Sequence, residues 1–241
     1  MRTRIYNKMR MFSPVPDNIH LAVHEPSYSY EALAAEIPCI IGSTEDEMAG
    51  FGFPGAPAVF TDEVLRELLL KQLNTPMMPL PGALPEHKEY TPEDVAHFIS
   101  VFKEKTGQTD PEQLFWNIVT LSGGLGNGAY LQATERASQG GAPFYAYLTA
   151  IDCPTAKDPG KKYSFHVCDL PLQLHIVFHP EYEEVSRKYS NAWAQFIRTG
   201  NPSTEELEWP AYVKGAEKIM VFDWNTRVED DFRGTLNSLF H

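Results

Sequence analysis

The sequence predicts an α/β protein built on parallel strands. Three short apolar runs, rich in β-branched and aromatic residues, are separated by longer segments of helical periodicity. That alternation is typical of a parallel sheet covered by helices. The 241 residues are 43% hydrophobic and 12% aromatic, enough to build a buried core and too much for a disordered chain. We therefore expect the order strand, several helices, strand, helix, strand.

The first strand is predicted at residues 37–41, an apolar run that ends at Gly42 and leads into a loop rich in glycine and proline. A helix is expected after Thr61, whose side chain can cap it. Its apolar face consists of leucines at helical spacing, namely Leu65, Leu68, Leu69 and Leu73. Four prolines between residues 74 and 86 then exclude regular structure.

Two further helices begin with the same signal, a capping residue followed by proline at the first helical position. The first starts at Thr91-Pro92 and buries one face, formed by Val95, Phe98, Ile99 and Phe102. The second starts at Asp110-Pro111 and repeats the pattern with Leu114, Phe115 and Ile118. The glycines of residues 123–128 predict a break before another helix at 130–138, because this run lacks the lysine of a phosphate-binding loop.

The second strand is predicted at residues 143–148 and is followed by a loop over 152–162. The clearest helix covers residues 182–199 and ends at Gly200. Its apolar stripe is predicted to contain Val185, Tyr189, Trp193, Phe196 and Ile197. A third strand at 219–222 completes the alternation.

Charge and cysteine content exclude several classes of function. The 32 acidic and 20 basic residues give a net charge of −12, which argues against a nucleic-acid partner. No run of about 18 apolar residues occurs, so no membrane-spanning helix is predicted. Three scattered cysteines, Cys39, Cys153 and Cys168, favour thiols in a reducing compartment over disulfides or a zinc site. Residues 1–11 form a ragged basic start without the apolar stretch of a signal peptide, so we expect a cytoplasmic location.

Residues that could do chemistry follow the first two predicted strands. In open α/β sheets, catalytic groups lie at the carboxyl ends of strands. Glu47 belongs to an acidic loop after the first strand, and His166 lies on a loop after the second. A histidine can act as a general base near neutral pH, and an acid can orient it. Spacing alone nevertheless favours a solvated loop and a surface histidine.

A second pair of histidines, His175 and His179, could bind zinc if both lay on one helix face. Pro180 follows immediately and no glutamate lies between them, so metal binding is a remote alternative. We predict no metal and no cofactor.

Seven segments, in order along nearly the whole chain, resemble the type-B carboxylesterase family, which includes cholinesterases and para-nitrobenzyl esterases. They are F-S-P-V-P-D (12–17), I-P-C-I-I-G-S-T-E-D-E (37–47), G-A-P-F-Y-A-Y (141–147), F-H-V-C-D-L-P (165–171), W-A-Q-F-I-R-T-G-N-P (193–202), W-P-A-Y (209–212) and M-V-F-D (220–223). One such match is weak, whereas seven in the family's order are a specific signal.

The resemblance implies an α/β-hydrolase fold and a serine carboxylesterase in which Glu47 is the triad acid and His166 the triad histidine. Glu47 would accept a hydrogen bond from one ring nitrogen, and the other nitrogen would take the serine proton. Asp169 is then expected to be structural and to hold the histidine loop. Two departures stand out. Met48 replaces the family's usual glycine, and Leu172-Gln173-Leu174 replaces a frequent aromatic pair, which could alter the pocket wall.

The sequence contains no G-x-S-x-G motif, the place where this family carries its nucleophile. We therefore expect residues 1–241 to be the C-terminal portion of one hydrolase domain, a partial fold with a mostly parallel sheet whose N-terminal half is absent. It would supply the acid and the histidine without the serine, and a small carboxylic ester would be the substrate once an N-terminal half completes it. The alternatives are a non-catalytic cholinesterase-like binding module and a truncated inactive product.

Overall fold

The computed structural model describes residues 35–51, 57, 59–75, 89–123, 125–152 and 163–240. Within these ranges a single sheet has the strand order β1-β2-β3-β4, formed by Cys39–Thr44, Phe144–Thr149, Lys218–Phe222 and Arg227–Asp230. The first three strands are parallel, and β4 runs antiparallel to β3. The predicted α/β class with a mostly parallel sheet is therefore confirmed.

The helices of the described residues begin and end largely where their caps predict. They are α1 (Asp62–Asn74), α2 (Pro92–Thr106), α3 (Pro111–Gly123), α4 (Leu125–Gln139), α5 (Leu170–Gln173), α6 (Glu183–Thr199) and α7 (Arg233–Asn237), with 3-10 turns at Glu47–Phe51 and Pro180–Tyr182. Thr61 accepts the Val64 N–H, and Thr91 forms a reciprocal capping box with Asp94. Gly200 ends α6 in the left-handed conformation, as its position predicts.

Helices cover both faces of the sheet. Alternate residues of β2 point to opposite sides, as the period of a strand requires. Phe144, Ala146 and Leu148 pack with Ala133 of α4, whereas Tyr145 packs with α6 and with the buried rings of Tyr189, Trp209 and Phe222. A separate core lies between α1, α2, α3 and α7, built from residues that include Leu65, Leu69, Phe98, Phe102, Phe115 and Leu236.

Several predicted boundaries are wrong. β1 begins at Cys39 and continues past Gly42 to Thr44, because it stays in register with β2 as far as Thr149. The glycine run is mostly helical, since α4 begins at Leu125. A Cβ atom on Gly126 would lie 2.5 Å from Thr120 Cγ2, so glycine here permits the close approach of α3 and α4.

Two other errors concern exposure and a missed strand. Ile197 is 80% exposed and does not belong to the buried stripe of α6. β4 was not predicted, because its four residues are mostly charged. Among the described residues, no helix has the length and apolar character needed to cross a bilayer. The predicted F-S-P-V-P-D segment, the basic start, most of the proline-rich stretch and Cys153 lie outside the described residues.

Candidate active site

The segments after β1 and before α5 converge on the carboxyl edge of the sheet. Thr149, the last residue of β2, accepts hydrogen bonds at its carbonyl from the Glu45 N–H (2.8 Å) and the Ser164 hydroxyl (2.7 Å). Glu47 follows β1 in the 3-10 turn, and His166 lies two residues beyond Ser164. The sheet therefore brings together two residues that are 119 positions apart in the chain.

Glu47 and His166 form a hydrogen-bonded pair with unequal exposure. His166 Nδ1 lies 2.6 Å from Glu47 Oε2, and the Glu47 side chain is only 8% exposed whereas that of His166 is 40% exposed. The second carboxylate oxygen, Oε1, accepts the Thr44 N–H at 2.7 Å. The acid is thus buried and oriented by the end of β1, while the imidazole is reachable from solvent. Such a pair can fix one histidine tautomer and leave Nε2 to exchange protons.

The histidine is carried on a tight turn. The Cys168 N–H donates to the Phe165 carbonyl at 3.0 Å, which places His166 and Val167 at the centre of the turn. Val167 has a φ of 65°, a left-handed conformation that is unfavourable for a β-branched residue. Backbone strain of this kind concentrates at functional sites.

Asp169 anchors the histidine loop through side-chain hydrogen bonds, in agreement with its expected structural role. Its Oδ2 accepts hydrogen bonds from Gln173 Nε2 (2.8 Å), the Tyr147 hydroxyl (3.3 Å) and the Tyr189 hydroxyl (3.4 Å). Burial raises the pKa of Asp169 above its ordinary value, and these donors partly oppose that effect. The loop is thereby tied to β2 and α6.

The acidic loop is not solvated, and this corrects the interpretation favoured by spacing. Asp46 is 1% exposed and Glu47 is 6% exposed. Asp46 accepts hydrogen bonds from Gln113 and Asn117 of α3, and the Met48 N–H donates to Thr120 of the same helix. Sequence reasoning missed these three helix residues. Their signal is a polar stripe at positions i, i+4 and i+7 of an otherwise apolar helix.

The two departures from the family pattern leave the pair intact. The Met48 side chain is 3% exposed and enters the core between the helices, so Glu47 still reaches His166. Leu172 is fully buried, whereas Leu174 is 68% exposed beside the histidine loop.

His175 and His179 do not share a helix face. His175 follows α5 with a φ of 53° and contacts Ser190 Oγ (3.3 Å) and Glu183 Oε1 (3.2 Å), both on α6. His179 has extended backbone just before Pro180. In the part of the chain that the structure describes, no group of three or more metal-ligating side chains is placed to hold an ion.

Comparison with known proteins shows which family the chain belongs to. The sequence model of the Carboxylesterase family matches residues 2–237. The chain belongs to the carboxylesterase family. It is 26% identical over 230 residues to the para-nitrobenzyl esterase of Bacillus subtilis, a match that covers 91% of this chain and 41% of that protein. A shorter match, 34% identical over 53 residues, relates it to an acetylcholinesterase of Leptinotarsa decemlineata.

Solved structures support the same fold. A thermophilic para-nitrobenzyl esterase gives a TM-score of 0.58 at 22% identity, covering 100% of this chain and 46% of its own. An esterase of Clostridium hathewayi is described as able to hydrolyse aliphatic aromatic polyesters. It gives a TM-score of 0.62 at 20% identity, and the match covers 99% of this chain and 45% of that esterase. The chain therefore has an α/β-hydrolase-like fold, corresponds to the C-terminal half of these relatives and spans less than half of their length.

Proposed function

We propose that this chain supplies the acid and the general base of a serine carboxylesterase, with Glu47 as the triad acid and His166 as the triad histidine. The observation that carries the proposal is the 2.6 Å contact between His166 Nδ1 and Glu47 Oε2. It joins a buried, anchored carboxylate to a solvent-accessible imidazole at the carboxyl edge of a parallel sheet. Membership of a family whose named relatives include esterases supports the same reaction.

In this reaction Glu47 accepts a hydrogen bond from the Nδ1–H of His166 and stays ionised, so Nε2 is the nitrogen that acts as base. Nε2 takes the proton of a serine hydroxyl as the serine oxygen bonds to the ester carbonyl carbon. The buried carboxylate stabilises the imidazolium that forms. His166 then protonates the departing alcohol. In the second half of the reaction His166 takes a proton from water as the water oxygen attacks the acyl carbon, and it returns this proton to the serine oxygen as the carboxylic acid product leaves.

The nucleophile and the oxyanion donors belong to another part of the active protein. The 241 residues contain no G-x-S-x-G motif. We propose a small carboxylic ester as the substrate and a serine-bearing segment, within a longer chain or on a second one, as the partner that completes the site. The three cysteines, an odd number without a close pair in the sequence, favour a reducing compartment, which supports a cytoplasmic location.

A chimera tests the proposal. This chain replaces the matching portion of the Bacillus subtilis para-nitrobenzyl esterase, and hydrolysis of para-nitrophenyl acetate is measured. We expect activity that falls by about 10⁴-fold or more in kcat for His166→Ala and by roughly 10³- to 10⁴-fold for Glu47→Gln.

The matched controls are His175→Ala and Glu183→Gln, which alter an exposed contact of 3.2 Å between His175, just after α5, and Glu183 of α6. Both should leave kcat within about twofold of the parent, since surface pairs of this kind contribute little. Equal activity of His166→Ala and the parent would refute the assignment. A folded chimera that binds esters and never hydrolyses them would favour the non-catalytic binding module.

A further inference from the structure

We propose that Asp46 is a positioning residue for the reaction, because it clamps the segment carrying His166 onto the segment carrying Glu47. The inference rests on the proposed roles of those two residues. Asp46 adjoins Glu47 in sequence, and its side chain reaches across to Ser164, two residues before His166. It does not touch the reacting groups, so its effect on catalysis is transmitted through the histidine.

The clamp consists of reciprocal hydrogen bonds between the two segments. The Asp46 N–H donates to the Ser164 carbonyl at 2.9 Å, and the Ser164 N–H donates to Asp46 Oδ2 at 3.2 Å. One step further along, the His166 N–H donates to the Glu47 carbonyl at 3.2 Å. The side-chain contact between His166 and Glu47 is therefore one of several hydrogen bonds that join the two segments. The Asp46 carboxyl accepts the bond from the Ser164 N–H, at the start of this series.

The same carboxyl is anchored on the helix behind it. Oδ1 accepts Asn117 Nδ2 at 2.7 Å, and Oδ2 also accepts Gln113 Nε2 at 2.5 Å. Three N–H donors from two separate parts of the chain thus converge on one side chain that is 1% exposed. Only a group with acceptors on both oxygens satisfies all three, which is why an aspartate suits this position better than an amide or an alcohol.

The cost of burying this carboxyl indicates that its contacts matter. Burial raises the pKa of Asp46 well above its ordinary value, the nearby Glu45 carboxyl raises it further, and the Ser164 and Gln113 hydrogen bonds oppose the rise. An apolar residue in its place would leave the donors of Gln113, Asn117 and Ser164 without this acceptor. Asp46 therefore contacts both α3 and the segment that carries His166.

The test compares Asp46→Asn with Asp231→Asn. Asp231 also has a completely buried side chain, but its hydrogen bonds run to Arg233 and Tyr212 and none to the histidine segment. Both changes are expected to lower stability. In the chimera, Asp46→Asn should lower kcat roughly 10- to 100-fold with KM within about threefold, because a displaced catalytic group loses rate more than binding. Asp231→Asn should leave kcat, per folded molecule, within about twofold.

A second readout does not depend on catalysis. In proton NMR of the chain, the His166 Nδ1–H bonded to Glu47 should give a downfield resonance that Glu47→Gln removes. Asp46→Asn should broaden or abolish it by exposing the proton to exchange, and Asp231→Asn should preserve it. If Asp46→Asn fails to fold, Asn117→Ala removes one anchor and is expected to produce the same changes in weaker form.

The outcomes separate this inference from the proposed function. If His166→Ala abolishes hydrolysis while folded Asp46→Asn keeps the parent kcat and the Nδ1–H resonance, the positioning role is wrong and the triad assignment stands. If His166→Ala leaves hydrolysis unchanged, the proposed function itself fails.

Discussion

Replacing Gly42 with alanine should destabilise the sheet directly beneath the candidate site. Gly42 of β1 lies opposite Tyr147 of β2 in the strand register. A Cβ atom at Gly42 would lie 2.4 Å from Tyr147 Cγ and Cδ1 and 2.5 Å from Cε1. Carbon atoms in contact prefer separations of about 3.5–4.0 Å, so the tyrosine ring would have to move by roughly 1 Å or more.

The ring has little room to move. Its centroid lies 5.2 Å from that of Trp193, 6.0 Å from that of Tyr189 and 6.4 Å from that of Phe222, all in edge contacts. Overpacking an enclosed site typically costs about 1–3 kcal/mol. Part of this cost is offset, because alanine loses less backbone entropy on folding than glycine, a difference of roughly 0.5–1 kcal/mol. We expect a net loss of about 1–2 kcal/mol in the free energy of unfolding.

Urea denaturation followed by tryptophan fluorescence measures this loss. The matched control is Gly128→Ala within α4, where an added Cβ meets no atom within 4 Å. That variant should be more stable than the parent by up to about 1 kcal/mol, since alanine is the better helix former. If Gly42→Ala is as stable as the parent or as Gly128→Ala, the described packing of Tyr147 against β1 is wrong.

Two further stability predictions concern the neighbourhood of the site. Val167→Gly should stabilise the chain by about 0.5–1 kcal/mol, because it removes a β-branched residue from a left-handed conformation with a φ of 65°. Burial, together with the Asp223 carboxyl, raises the pKa of Glu45 from 4.5 to about 7. Between these values the folded chain keeps a proton that the unfolded chain has lost, so the free energy of unfolding should fall as pH rises. The part of this fall due to Glu45 is about 1.4 kcal/mol per pH unit and up to about 3 kcal/mol in all. Glu45→Gln should remove that part, while the raised pKa values of Asp46 and Asp169 keep their own contributions.

Urea titrations at several pH values check both effects. Loss of stability in Val167→Gly would show that the valine side chain contributes more than its backbone costs. A parent chain whose stability rises steadily from pH 5 to pH 7, with no difference in Glu45→Gln, would contradict the raised pKa of Glu45.

The helices were predictable because their signals are local. The caps at Thr61 and Thr91 act on backbone groups within three residues, and the structure has both. Ile197 was assigned wrongly, since it lies at the margin of the apolar stripe of α6, where spacing cannot tell whether a neighbour covers it. β4 was missed because an edge strand needs only one partner and carries charged residues.

The site was less predictable because its contacts are distant in the chain. Glu47 and His166 each looked unremarkable by spacing, and only the ordered family motifs paired them. The burial of Asp46 depends on amides of α3 that lie about 70 residues away, as with Asn117 at a separation of 71. The spacing of apolar residues in the sequence does not predict such a contact. The polar stripe on α3 indicates only that its buried face meets a polar partner.

We propose above all that His166, oriented by Glu47, is the base that activates a serine for attack on an ester. The most direct measurement is the pre-steady-state burst of para-nitrophenol from the chimera, which counts acyl-enzyme formation at each site. We predict a burst of about one equivalent per site in the parent and in His175→Ala, and none on the same timescale in His166→Ala. A burst of equal size and rate in His166→Ala would contradict the account.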